Sequence, residues 1–172
     1  CSERPARPAV RPMSFLLPQI LLEPRLALEL NNDKLNQLLS QARSTRLLAS
    51  LAHQLQHAAV DSQLSTTVSR HLKSAIRIHD KQKRDLAYDS EKIKLVLNSI
   101  SERLVLLKGA AYMLAELPVG RGRLITDIDI LVPQQRIDEV ERSFNKFGWN
   151  SGYVNNYNGR YYRKWSHEIP PL

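Results

Sequence analysis

Between Asn31 and Ala58 the chain sets Leu35, Leu38, Leu39, Ala42, Leu48, Leu51, Leu55 and Ala58 at steps of three and four, the period of a helix burying one face. Asn31, Asn32 and Asp33 supply cap chemistry just ahead of it. A second pattern restarts at Asp61 or Ser62 and turns Leu64, Val68, Leu72, Ala75 and Ile76 inward. A third aligns Leu86, Ile93, Val96, Leu97 and Ile100. No Pro or Gly interrupts the chain between Pro24 and Gly109, so two or three long helices are expected, with no internal repeat.

The texture changes after Ser101. Residues 104–107 form an unbroken apolar run of the kind a buried strand shows. Lys108 and Gly109 break it, residues 110–117 read as a helix ended by Pro118, and a glycine-containing loop covers 119–123. Residues 124–132 then alternate, with Ile128, Ile130 and Val132 on one side and Asp127 and Asp129 on the other. That is the period-two pattern of a half-buried strand. Pro133 opens a further helix with Ile137, Val140, Phe144 and, at its end, Phe147 inward and Gly148 as its stop. Asn158-Gly159, set between tyrosine-rich stretches, signals a two-residue hairpin turn. This order of elements predicts an α/β or α+β domain. The chain thus divides into a Pro/Arg-rich lead over 1–30, a helical region over 31–101 and the strand-containing core over 102–172.

Composition narrows the class. Of 172 residues 42% are apolar and 24% charged, a globular balance with enough chain to bury a core. No apolar run approaches the roughly 20 residues of a membrane-spanning helix. The net charge is +8, of which +6 falls up to Ser101 and +2 after it, with bases interleaved among acids. Such a balance favours anionic partners without specifying one. The lone Cys1 leaves neither an internal disulfide nor a cysteine metal cage, which fits a reducing, cytoplasmic compartment. Position 1 is not Met, the apolar Phe15-Leu16-Leu17 runs into Pro18 rather than a signal cleavage site, and the sequence stops at Pro171-Leu172 directly after strand-like residues. A piece of a longer chain is the expectation.

Asp127 and Asp129, two apart on a strand, point to one side, where paired carboxylates can hold hard divalent cations such as Mg²⁺. Paired metals about 4 Å apart can clamp a phosphoryl displacement. The structural alternative is a solvent-facing pair of acids neutralised by Arg121 or Arg123. A strand that ends in Leu-Leu-Lys-Gly and opens a helix offers backbone N–H groups and the Lys108 ammonium to a phosphate. Otherwise Lys108 is an exposed turn residue and Gly109 answers a conformational need. His53 and His57 have metal-ligand spacing but fall off the buried stripe, so they read as a solvated face, as do His71 and His79.

Leu106-Leu107-Lys108-Gly109-Ala110-Ala111, followed by Arg123-Leu124-Ile125-Thr126-Asp127-Ile128-Asp129-Ile130-Leu131-Val132, resembles the uncharacterised nucleotidyltransferases, a family of the DNA polymerase beta-like nucleotidyltransferase superfamily. The resemblance covers about 104–172, and the preceding helices resemble the family's N-terminal helices. It implies an α+β protein in which a helical region leads into a mixed-sheet nucleotidyltransferase-like core, truncated at its C-terminus. It implies an enzyme moving a nucleoside monophosphate from a nucleoside triphosphate, with ATP the expected one, to an acceptor that is a protein, a small molecule or RNA. In that reading Asp127 and Asp129 are catalytic and hold Mg²⁺ or Mn²⁺. Lys108, Gly109 and Ala110 cradle the phosphates, and Arg123 touches the triphosphate or fixes the loop. Two departures stand out. The superfamily's Gly-Ser is replaced by Lys108-Gly109-Ala110, and the third carboxylate is expected in a strand beyond His167-Glu168-Ile169-Pro170. Asp138, Glu139 and Glu141 lie in a predicted helix, which leaves Glu168 as the other acid.

Tyr153, Tyr157, Tyr161, Tyr162 and Trp165, mixed with Arg160, Arg163 and Lys164, can stack bases and meet phosphates, or simply pack a hairpin. The alternative function is therefore a non-catalytic nucleotide- or nucleic-acid-binding module that retains the fold. A helical partner-binding segment with an inert cap is the third reading.

Overall fold

In the computed structural model, which describes residues 15–149, the first helix begins at Leu16 in spite of Pro18. The proline falls in the first turn of α1 (Leu16–Leu22), where a missing N–H removes no helical bond. The Leu17 N–H is instead held at 3.1 Å by Oε1 of Gln41, a buried side chain on α2 (Asn32–Ser44). Asn31 caps α2 by accepting the Lys34 N–H at 3.0 Å. Together with a 3₁₀ turn at Pro24–Glu29 and α3 (Leu48–His57), these helices bury one continuous core. Ile20 and Ala27 pack there with Leu38, Leu51, Leu55 and Leu72. The chain divides into two compact units at Ile78/His79, and this core lies in the first.

The helix boundaries differ from those read off the periodicity. The stripe from Leu35 to Ala58 is broken at Thr45–Leu47 into α2 and α3, whereas the second and third patterns run together into α4 (Thr66–Asn98), 33 residues long. The breaks share one device. Arg46, Ala59, Ser101 and Glu116 adopt left-handed φ of 54–59° just past the ends of α2, α3, α4 and α5 (Lys108–Leu114). The next N–H then reaches back five residues: Leu47 to Ala42 at 2.8 Å, Val60 to Leu55 at 2.9 Å, Glu102 to Leu97 at 3.0 Å and Leu117 to Tyr112 at 3.0 Å. Gly148, at φ +85°, does the same after α6 (Ile137–Lys146), where the Trp149 N–H bonds the Phe144 carbonyl at 3.0 Å.

The second unit contains the larger correction. The described residues are mostly helical and contain no β-sheet, so the expected mixed-sheet α+β core is not what they form. The two predicted strands do meet, antiparallel, but only at one bridge between Leu106 and Ile130. It is made by Leu107 N–H to Asp129 O and Leu131 N–H to Val105 O, both at 2.9 Å. The pairing stops because α5 begins at Lys108 on one side and Pro133, without an N–H, follows on the other. Alternation in 124–132 reports an extended segment with one buried side. The surface that buries it is helical: Ile128, Ile130 and Val132 pack on Ile93, Val96, Leu97, Val140 and Phe144. Trp149 meets Phe144 edge-on, with ring centroids 5.8 Å apart. A neighbouring cluster joins Leu86 to Ala110 and Met113, with Ile125 and Ile128 against it.

Lys83 on α4 reaches Glu116 at 2.6 Å, and this ion pair holds the glutamate below its ordinary pKa of 4.5, with Arg121 adding to the effect. Among the described residues no helix is long and apolar enough to cross a membrane. The tyrosine-rich stretch with Asn158-Gly159, Trp165, His167 and Glu168 lies outside the described residues, as does the Pro/Arg-rich start of the lead.

Candidate functional site

Lys108, Gly109, Arg123, Leu124, Ile125, Thr126, Asp127 and Asp129 line one open cleft of about 160 Å³ in the second unit. Pockets for whole drug-sized ligands start at roughly 300 Å³, so this cleft suits the charged end of a ligand and its counter-ion. Two of its lining residues, Lys108 and Asp129, adjoin the bridge just described. Hydrogen bonding fixes Leu107 and Asp129 opposite one another, and the chain then turns into α5 at Lys108.

That turn is strained. Lys108 has φ +49°, a left-handed conformation that costs a residue with a Cβ about 1–2 kcal/mol. Its ammonium extends over the cleft to Asp129 Oδ1 at 3.2 Å, with the lysine well exposed and the aspartate half-buried. An exposed pair of this kind is worth little on its own and exchanges readily. Lys108, rather than Arg121 or Arg123, is thus the cation seen against Asp129. Asp127 is exposed and accepts the Thr126 hydroxyl at 3.1 Å. Both carboxylates line the same cleft, while Ile128 between them is packed into the core. Of the acids in the described residues, these two alone line it; Asp138, Glu139 and Glu141 are on α6.

Gly109 is buried against the loop that leads to the aspartates. A Cβ there would lie 2.5 Å from Cγ2 of Ile125 and 3.2 Å from Nε of Arg123, the first closer than real Cβ contacts allow. Glycine therefore lets α5 and residues 123–125 touch. Ala110 is buried in the core with Leu86 and Met113 and does not line the cleft. The Arg123 guanidinium sits 5.9 Å from the centre of the Tyr112 ring, at the edge of cation–π range, which holds it over α5 beside Gly109.

Two supporting residues escaped the sequence reading. His79, expected on a solvated face, is buried, and its Nε2 accepts the Gly122 N–H at 3.2 Å. Gln82, one turn on, binds Ile125 through both ends of its amide, Oε1 from the N–H at 3.0 Å and Nε2 to the carbonyl at 2.5 Å. The available signal was their i, i+3 spacing on α4, in register with Leu86. His57 is exposed and His53 half-buried.

Comparison with known proteins gives one finding. The family model of the uncharacterised nucleotidyltransferases matches residues 31–169, most of the chain, and the protein belongs to that family. No curated protein matches it. No solved structure matches it.

Proposed function

Taking membership of that family as the premise, we propose that the Asp127–Asp129 cleft is the site of a divalent-metal-dependent nucleotidyl transfer. Family membership supports nucleotidyl transfer as the general reaction. The observation that carries the finer reading is the meeting of two carboxylates, a lysine and an arginine in one small cleft. The donor set suits Mg²⁺ or Mn²⁺: two hard carboxylate oxygen donors on neighbouring outward positions, one of which already attracts a cation. Asp127 and Asp129 would hold the metal, which when bound supplies positive charge against the triphosphate.

The remaining work falls to this chain's own side chains. Lys108 exchanges Asp129 for a phosphate oxygen, Gly109 allows close backbone approach, and Arg123, steadied by Tyr112, faces the triphosphate. The acceptor's oxygen attacks the α-phosphorus, the bond to the bridging oxygen breaks, pyrophosphate leaves and the acceptor's proton passes to solvent. Catalysis is then positioning and charge compensation, as phosphoryl-type transfers require. ATP is the expected donor, and the acceptor is a protein, a small molecule or RNA.

The Lys108–Asp129 pair also favours a second reading, a nucleotide-binding module in which the lysine takes the place of the metal. Pyrophosphate release from each of the four nucleoside triphosphates, with RNA, protein and small hydroxyl acceptors, separates the two. The enzyme releases pyrophosphate only with Mg²⁺ or Mn²⁺ and loses about a hundredfold or more in Asp127→Asn. Absence of release with every acceptor, alongside metal-independent nucleotide binding, supports the module instead.

A further inference from the structure

In a β-sheet, the N–H and C=O of an extended residue are held by the neighbouring strand. Ile125 opens the segment that carries Asp127 and Asp129, two and four residues on, yet the bridge at Ile130 lies at the segment's far end. At the near end both backbone groups of Ile125 are held by one side chain, Gln82 of α4, at 3.0 and 2.5 Å. Only the orientation with Oε1 toward the N–H and Nε2 toward the carbonyl satisfies both groups, so the partners fix the amide. The same helix reinforces the contact one turn earlier, through His79 and the Gly122 N–H, and one turn later, through Leu86 packed in the cluster that takes in Ile125. From the other side Gly109 closes on the Ile125 side chain.

We propose that Gln82 is a positioning residue of the cleft: its amide holds Ile125 where, among the described residues, no strand pairs with it, and sets the register in which Asp127 and Asp129 face a metal ion. Gln82 does not line the cleft and acts through Ile125. The proposal rests on the metal-binding reading above, and the test separates the two.

On the full chain, Mn²⁺ affinity is measured by titration for the native protein, Gln82→Met and Gln82→Glu, alongside amide hydrogen exchange at Ile125. Met keeps the length and removes both hydrogen bonds; Glu keeps the acceptor and loses the donor. Residues that orient metal ligands typically tune affinity about 10- to 100-fold. Gln82→Met is expected to fall in that range, Gln82→Glu by less, with exchange at Ile125 faster in both and amides near Leu97 unchanged. Native Mn²⁺ affinity retained in either folded variant overturns the proposal, even if exchange speeds up. Should Gln82→Met fail to fold, Gln82→Glu decides on the same criterion. A native chain without Mn²⁺ affinity overturns the metal reading itself and, with it, the role assigned to Gln82. Slow exchange at Ile125 that Gln82→Met accelerates would still mark the clamp as structural.

Discussion

At the scale of single residues, the cleft depends on what cannot be larger as much as on what carries charge. Gly109 has no room for a methyl group against Ile125, whose backbone Gln82 holds in place. Relief must come from moving the α5 entrance or the 123–125 loop. Gly109→Ala is therefore expected to destabilise the fold by about 1–3 kcal/mol, the usual cost of overpacking. It should also weaken nucleotide binding more than it weakens the fold. Thermal unfolding and nucleotide titration on the same variant check this, and an unshifted melting temperature contradicts it. Much of the cleft's lining was named from the sequence: Asp127 and Asp129 by alternation, Lys108 and Gly109 by the break between strand-like and helical residues, and Arg123 through the family resemblance. Gln82 and His79 were not, because their only local trace, an i, i+3 spacing in register with Leu86, does not say that they bond the backbone 43 positions away. Nor was the strained φ of Lys108, which only glycine would have advertised.

At the scale of elements, helix faces were legible and most helix ends were not, the stop at Gly148 being the exception. The three-and-four stripe names Leu35, Leu38, Leu51 and Leu55 as buried, and they are. The ends went unread because four of the five left-handed stops carry Arg, Ala, Ser or Glu where glycine is the usual signal. The strands failed for a different reason. Alternation measures burial on one side, and helices α4 and α6 supply the surface on which Ile128, Ile130 and Val132 pack. The stops yield a prediction. Ala59 pays the left-handed penalty without a side-chain contact large enough to repay it, being exposed at φ +55°. Ala59→Gly is expected to stabilise the protein by up to about 1 kcal/mol, the relief of strain being partly offset by the looser unfolded chain. Denaturant unfolding checks the sign, and a loss of stability contradicts the account of the stop.

At the scale of the whole molecule, the family match from 31 to 169 takes in α2 and α3 of the first unit, though not α1, as well as the cleft of the second. The helical region over 31–101 thus lies within the stretch matched to the family. The positive balance, +8 over the chain, suits a nucleoside triphosphate and an anionic acceptor equally, so it does not choose between enzyme and binding module. The metal does. Calorimetric titration of ATP into the full chain and its Asp127→Asn variant, each with and without Mg²⁺, tests the central claim directly. The account predicts binding that requires both the metal and Asp127. Binding of equal strength in the variant, or without Mg²⁺, would contradict it.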